Sequence, residues 1–189
     1  MSSIHKILMV GFLMVFSNLG KAQDKPIVRP GLLKATANIG AGVLLKPTAM
    51  TLYINGDLEG YISKRVSLRG DFSYYFGTQK KDKILKMNHS LFFGFSYHFP
   101  KGKFDPFIGF QPGMSFVQGW VDDNTPAKIK AVPVASVLGG FHYYVAKYFN
   151  FYLAVRYVGG RYIANTEMPT SLHEFRFMLG LGFNLNLIK

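Results

Sequence analysis

The sequence predicts an all-β protein, an eight-stranded antiparallel up-and-down transmembrane β-barrel. The first observation is that residues after about 32 alternate between apolar and polar with a period of two, almost without a helical stretch. The second is that short and long connections alternate between the predicted strands. The third is a composition with 16% aromatic but only 17% charged residues, which excludes a disordered polyelectrolyte.

The N-terminus has the features of a secretory signal. A basic start is followed by an apolar run over residues 7–16 and by the small residues Gly20 and Ala22 just before Gln23. The apolar run is too short to cross a bilayer as a helix. We therefore expect residues 1–22 to be a cleaved signal peptide and the mature chain to be exported.

The mature chain divides into a short lead-in, 23–32, and a barrel domain, 33–189. Eight segments of the barrel domain alternate in hydropathy, with lengths typical of membrane-spanning strands. They are 33–45, 49–62, 66–76, 87–99, 106–117, 132–145, 150–158 and 172–187.

The connections indicate which end of the barrel is which. Three of them are short and three are long and polar, and in outer-membrane barrels the short turns are periplasmic. The short ones are 63–65, 100–105 and 146–149, and the long ones are 77–86, 118–131 and 159–171. The link at 46–48 is short where the pattern expects a long loop.

One face of each predicted strand is apolar, and the other carries glycine, serine, asparagine and a few charges. A water-exposed strand face seldom carries many glycines, whereas the narrow interior of a small barrel accommodates them. The polar-face glycines are Gly40, Gly42, Gly94, Gly109, Gly113, Gly140, Gly180 and Gly182. This favours a lipid-facing apolar exterior over the alternative, a soluble β-barrel or sandwich. Aromatic residues at the ends of the apolar faces are candidates for interfacial girdles: Tyr74, Phe76, Tyr97, Phe99, Tyr143, Phe151 and Tyr157.

Eight charged residues fall on the polar face and are expected inside the barrel. Since each buried charge needs a partner, four basic and four acidic residues indicate an interior salt-bridge network. They are Lys34, Asp57, Glu59, Arg69, Asp71, Arg156, Glu174 and Arg176. A second interpretation is a narrow ion pathway gated by switching pairs such as Glu59–Arg176 or Arg69–Glu174.

With its export signal, eight alternating strands and short turns, the sequence resembles the small outer-membrane β-barrel proteins of the OmpA/OmpX type. The resemblance rests on pattern over nearly the whole mature chain. It implies localisation in the bacterial outer membrane, contact with outer-membrane lipid and lipopolysaccharide, and insertion by the barrel-assembly machinery. The C-terminal residues, 186–189, depart from the terminal aromatic residue that such proteins usually carry, and no peptidoglycan-binding domain is expected after the barrel.

No motif in the sequence predicts a catalytic site, a metal site or a cofactor. The absence of cysteine excludes disulfides and a thiol nucleophile. No histidine is followed by serine two positions on, and His89 and His173 have the parity of interfacial residues. Residues 122–124 lack the spacing of a calcium loop. The net charge is +12 for the full sequence and about +10 without residues 1–22, and it lies in turns and loops of an exported chain, so we expect no nucleic acid binding.

Four lysines in loop 77–86 are expected to contact lipopolysaccharide phosphates if the loop is extracellular: Lys80, Lys81, Lys83 and Lys86.

The expected function is a non-enzymatic outer-membrane barrel that presents a surface or serves as an accessory subunit of an outer-membrane protein complex. The alternatives are a narrow channel or transporter for small solutes or apolar molecules and, third, a lipid A-modifying enzyme.

Overall fold

The computed structural model describes residues 28–46, 48–78, 85–120, 125–162 and 170–187. The predicted signal peptide lies outside these residues, as do residues 23–27 of the lead-in, Lys80, Lys81, Lys83 and residues 122–124. Eight long strands and one short strand make up the described part. They are β1 (Leu32–Leu45), β2 (Thr48–Tyr61), β3 (Val66–Thr78), β4 (Met87–His98), β5 (Phe104–Gln118), β6 (Lys130–Tyr144), β7 (Phe149–Tyr162), β8 (Thr170–Ser171) and β9 (Glu174–Asn186).

The eight long strands close into a barrel. Consecutive long strands pair antiparallel, β9 pairs with both β7 and β1, and β6 pairs with β7, so the sheet returns to its start. The two-residue β8 pairs antiparallel with the last two residues of β7. The predicted fold, an all-β eight-stranded antiparallel barrel, is confirmed. Among the described residues, no helix has the length and hydrophobicity needed to cross a membrane.

Side chains alternate between the exterior and the interior along each strand, as the period of two requires. On β9, for example, Leu179 is 56% exposed on the exterior while its neighbour Met178 is 2% exposed in the interior. The same alternation on every long strand produces an apolar exterior and an interior that contains most of the buried polar groups.

Several strands are longer than the hydropathy pattern predicts, and the differences are largest in β5 and β7. β5 begins at Phe104 instead of 106, and Asp105 pairs with His142 of β6. β7 continues past 158 to Tyr162, because Gly159 and Gly160 still pair with β6. Glycine lowers local strand propensity, but the neighbouring strand supplies the hydrogen bonds that keep the backbone extended.

Glycines on the inner face allow neighbouring strands to approach closely. A Cβ atom built at Gly94, Gly113, Gly140 or Gly180 would overlap a backbone carbonyl oxygen of the adjacent strand. Only glycine fits such positions without a shift of the backbone. These glycines therefore accommodate the curvature of a small closed barrel.

The two ends of the barrel differ in the length of their connections. We define the turn end by the connections 62–65, 99–103 and 145–148, together with the two ends of the described chain, at 28 and 187. The loop end has the connections 46–47, 79–86, 119–129 and 163–173, of which only the first is short. All interior side chains can be placed in layers between these two ends.

Candidate functional site: the interior of the barrel

The interior contains all eight charged residues that the sequence places on the polar faces. Each is buried, with an exposed fraction of 7% or less. They lie in three layers that follow the strand register from the turn end to the loop end.

The layer at the turn end is organised around Glu59. Glu59 lies directly opposite Lys34 on one neighbouring strand and opposite Arg69 on the other. Lys34 Nζ is 2.9 Å from Glu59 Oε2 and donates a 2.6 Å hydrogen bond to the Tyr61 hydroxyl. Tyr61 in turn donates to Asp105 Oδ2 at 2.8 Å. These contacts join β1, β2 and β5 across the end of the interior.

His98 bridges two carboxylates in the same layer. Its Nε2 is 2.9 Å from Glu59 Oε1, and its Nδ1 is 3.1 Å from Asp105 Oδ2. Ionised carboxylates only accept hydrogen bonds, so both contacts are satisfied together when both ring nitrogens carry protons. Among the described residues the interior holds five carboxylates and four Lys or Arg side chains, and a protonated His98 would make these charges balance.

Ser67, His98 and Asp105 have the order of a Ser-His-Asp triad. Ser67 Oγ is 2.9 Å from His98 Nε2, and Asp105 lies on the Nδ1 side of the same ring. However, Ser67 Oγ also donates a 2.5 Å hydrogen bond to Glu59, and all three triad-like residues are completely buried. A substrate could reach Ser67 only if the turn end opened, so the arrangement as it stands serves to connect the interior polar groups.

Arg69 occupies the centre of the middle layer. Its Nη2 is 2.9 Å from Asp57 Oδ2, and its Nε is 3.1 Å from Asp71 Oδ2. Nη2 also donates to the Tyr152 hydroxyl at 2.9 Å. Asp57 and Asp71 lie directly opposite each other on β2 and β3, where two like charges would repel. The guanidinium between them offsets this repulsion.

Arg156 connects the two walls of the barrel. From β7 it reaches Asp71 of β3, with Nη2 2.8 Å from Oδ1, and it donates to Gln111 Oε1 of β5 at 2.8 Å. Its guanidinium lies 4.6 Å from the ring centre of Phe92. The middle of the interior is therefore crossed by side chains in ionic and hydrogen-bonded contact.

The layer nearest the loop end is built on Arg176 and Glu174 of β9. Arg176 Nε donates to Glu174 Oε2 at 2.8 Å, and its guanidinium lies 4.0 Å from the ring centre of Tyr53. Tyr53 also donates to Glu174 Oε2 at 2.8 Å, and Thr51 forms a short hydrogen bond with Glu174 Oε1.

Apolar side chains cover the polar layers at both ends. At the turn end the cluster consists of Val28, Leu32, Tyr61 and Tyr144. At the loop end a larger buried cluster contains Leu44, Ala49, Tyr53, Tyr75, Leu85, Phe92, Val117, Val132, Val134, Val158, Tyr162 and Leu172. The interior is thus a packed core with a polar middle.

The two gating pairs suggested by the sequence, Glu59–Arg176 and Arg69–Glu174, do not form; each arginine has other partners. Glu59 and Glu174 lie near opposite ends of the barrel, since Glu59 pairs in register with Lys34 and Glu174 with Leu44, at the two ends of β1. Arg176 therefore pairs with Glu174 on its own strand, and Arg69 pairs with Asp57 and Asp71. Position along the strand, which follows from register, determines these partners.

Three interior titratable residues were missed at the sequence level. Asp105 falls in the predicted turn 100–105, although it is paired within β5, where it lies opposite His142. His98 had the polar parity of its strand, and His142 also lies on an inward position, with its Nδ1 2.9 Å from Asn150 Oδ1. Alternation was the available signal for both histidines.

The exterior is an apolar belt that continues around the whole barrel. Every long strand contributes large apolar side chains that are 36% or more exposed. The predicted girdle residues lie on this exterior: Tyr74, Phe76, Tyr97, Phe99, Tyr143 and Phe151 are 40–70% exposed, and Tyr157 is partly exposed. His89 stacks on Tyr74, and His173 Nδ1 is 2.6 Å from the Tyr157 hydroxyl, both near the loop end.

Of the four lysines expected to contact lipopolysaccharide, only Lys86 falls within the described residues. It is exposed at the loop end, with Nζ 5.7 Å from the ring centre of Trp120. In the described ranges no group of three or more His, Cys, Asp or Glu side chains has the arrangement of a metal site.

Comparison with known proteins supports the fold. No protein-family model matches the chain, and no curated protein matches it. The chain is similar to the N-terminal β-barrel domain of Pseudomonas aeruginosa OprF, with a TM-score of 0.62 and 14% identity over 82% of this chain and 98% of that one. Neisserial surface protein A gives a TM-score of 0.62 and 14% identity over 82% and 96% of the two chains. The outer membrane protein OprG from Pseudomonas aeruginosa gives 0.61 and 11% identity over 84% and 97%. At these identities the likeness shows the fold, an eight-stranded barrel of the kind found in small outer-membrane proteins.

Proposed function

We propose that this chain is an integral protein of the bacterial outer membrane, exported through a signal at residues 1–22. Its barrel is a closed, non-enzymatic scaffold that presents long loops at one surface or serves as an accessory subunit of an outer-membrane assembly. Its ligands in this role are outer-membrane lipid and lipopolysaccharide, and the barrel-assembly machinery inserts it.

The apolar belt supports the membrane location. Soluble monomers rarely expose a continuous apolar surface larger than a few hundred Å². Here exposed Phe, Leu, Ile and Val side chains surround the barrel, and Leu179, Phe177 and Leu181 are each more than half exposed on one strand. A hydrocarbon environment removes this surface from water, and the fully paired barrel strands need no hydrogen bonds from the lipid.

The observation that carries the scaffold role is the filled interior. Ion pairs cross its middle from Arg69 and Arg156, and buried apolar clusters cover both of its ends. An open diffusion pore would need a continuous water-filled channel, which eight strands leave no room for once their side chains fill the interior.

The turn end is proposed to face the periplasm, because outer-membrane barrels have short periplasmic turns and longer extracellular loops. Loops 79–86, 119–129 and 163–173 would then be available to partners outside the cell.

The test of this proposal combines two measurements on the full-length protein. Unboiled protein from outer membranes should migrate differently from boiled protein in a detergent gel. In planar bilayers the same protein should give no sustained single-channel current. Recovery of the processed chain as a water-soluble monomer without detergent would contradict the proposal. Affinity isolation of tagged protein in mild detergent then separates a free-standing scaffold from a subunit, which would retain a stoichiometric partner.

A narrow ion pathway is the second candidate. The observation that favours it is the row of buried charges in the interior. Arg69 contacts Glu59 and Asp71, and Asp71 also contacts Arg156, which lies opposite Arg176 in the strand register. A single-channel current that changes when Arg69 is replaced by Gln would support conduction past these charges.

The third candidate is modification of lipid A, and it rests on Ser67 and His98. Lipid A mass spectra that are unchanged after deletion of the gene would exclude it.

A further inference from the structure

In the described ranges the acidic residues lie only in the interior, whereas basic residues lie both inside and outside the barrel. All five acidic residues among the described ranges, Asp57, Glu59, Asp71, Asp105 and Glu174, are buried in the interior. The exposed charged side chains of the same ranges are lysines and arginines. The interior carboxylates are already engaged with interior cations, so they do not compensate the basic residues on the outside.

Six of the outer basic residues lie at the turn end, and we call them the basic rim. They come from all three turns and from the N-terminal approach to β1: Arg29, Lys64, Arg65, Lys101, Lys103 and Lys147. No acidic residue of the described chain lies on this rim, since all five are interior. The rim therefore has a positive potential on every side of the barrel end.

Contacts with exposed aromatic residues set the position of the basic rim along the barrel axis. Arg65 Nη1 donates to the Tyr97 hydroxyl at 3.3 Å, and Lys147 Nζ lies 5.1 Å from the ring centre of Tyr148. Tyr97 packs edge-on against Phe99, with ring centres 5.0 Å apart, and Tyr148 stacks on Phe183. These aromatic residues form the edge of the apolar belt at the turn end. Tyrosine in such a position lies at the level of the lipid headgroups.

We propose that the basic rim is a binding surface for the phosphate groups of anionic phospholipids in the leaflet at the turn end. The proposal rests on the membrane location and orientation given above. Acyl chains of such a lipid would contact the apolar belt, and its headgroup would lie beside Arg65 or Lys147. Each basic side chain near an anionic surface strengthens binding by about fivefold.

The experiment uses full-length protein, purified in a neutral detergent and free of lipid. Native mass spectrometry measures how many molecules of phosphatidylglycerol and of phosphatidylcholine the barrel retains in separate titrations. We expect phosphatidylglycerol to bind several-fold more tightly, and the preference to fall as the ionic strength is raised. Inorganic phosphate in a third titration distinguishes a lipid site from a site for the free anion. Binding of inorganic phosphate without a preference for phosphatidylglycerol would overturn the proposal.

Two matched variants locate the site. R65Q/K147Q removes one arginine and one lysine from the rim, and K46Q/R161Q removes the same two residue types from exposed positions at the loop end. We expect R65Q/K147Q to weaken phosphatidylglycerol binding by about 25-fold and K46Q/R161Q to weaken it much less. Equal effects of the two variants, or no effect of either, would contradict a site on the rim.

The design separates failure of this inference from failure of the proposed function. If the wild-type protein migrates as a folded barrel and inserts into phosphatidylcholine vesicles but shows no preference for phosphatidylglycerol, only the lipid site is wrong. If it remains monomeric in water without detergent, the membrane location is wrong and the rim cannot face a leaflet. The substituted positions are exposed in both variants, so we expect both to fold. Gel migration of boiled and unboiled samples checks that they do.

Discussion

Arg69 Nη2 lies 2.9 Å from Asp57 Oδ2 at the centre of the barrel, and both side chains are inaccessible to solvent. The same guanidinium contacts Asp71, so one cation from β3 bridges two carboxylates that face each other on adjacent strands. Because a buried charge without a partner is costly, this contact makes the stability of the interior sensitive to single substitutions.

Substitution of Arg69 by Met should strongly destabilise the barrel. It leaves Asp57 without its nearest cation, and breaking a buried ion pair from one side costs about 3–5 kcal/mol. Urea-dependent unfolding in lipid vesicles, followed by the fluorescence of Trp120, measures the free energy of unfolding. Lys128→Met, at an exposed loop position, is the control and should change it by less than about 0.5 kcal/mol. The double variant R69M/D57N should recover part of the loss, and a loss below about 1 kcal/mol in R69M would speak against a central role for Arg69.

Tyr61→Phe should lower the free energy of unfolding by about 1–3 kcal/mol. The hydroxyl accepts from Lys34 at 2.6 Å and donates to Asp105 at 2.8 Å, so its removal takes one hydrogen-bond partner from each of two buried charged groups, which keep Glu59 and His98 as their other partners. Tyr143→Phe, half exposed on the exterior, is the matched control and should be nearly neutral. Equal effects of the two substitutions would mean that the turn-end layer contributes little to stability.

Gly180→Ala should destabilise the barrel by about 1–3 kcal/mol, because the new methyl group overlaps the carbonyl oxygen of Ala37 on β1. Gly56→Ala provides the contrast, since a Cβ at that position meets nothing closer than 4.0 Å. The thermal unfolding midpoints of the two variants, measured in detergent, test this difference. A neutral Gly180→Ala variant would show that the strands can separate locally without cost.

Leu179→Arg should cost about 2–4 kcal/mol in a bilayer, because Leu179 lies on the exterior midway along β9, opposite Ile39 and Leu153. Phe99 is also 56% exposed but lies at the turn end, where the same change should cost about 0–1 kcal/mol. Unfolding in vesicles measures both. In a soluble barrel the two substitutions would have similar small effects, so equal values would contradict the membrane location.

Local alternation was sufficient to predict the fold class, the number of long strands and the face on which each side chain lies. Leu179 and Met178 fall on opposite faces because successive Cβ atoms of a strand point in opposite directions, whatever the rest of the chain does. The same rule places Lys34, Arg69 and Arg156 in the interior. These properties depend only on residues next to each other in the chain.

Strand ends and ion-pair partners depended on the closed barrel. Asp105 lies in a strand because β6 supplies its neighbour His142, a residue far away in the sequence. Tyr53 of β2 reaches Glu174 of β9 because both strands pair with β1 in the closed sheet, which sets the height of the two side chains in the interior.

Alternation between neighbouring residues is enough to specify eight strands, each with one apolar face and one glycine-bearing face that carries the buried charges. Closure of the barrel sets the contacts between strands: Arg69 binds Asp57, His98 bridges Glu59 and Asp105, and the outer charge around the turn end is basic. The physical reason is that facing is a property of one strand, whereas the distance between two side chains across the interior depends on the register of all the strands that close the barrel.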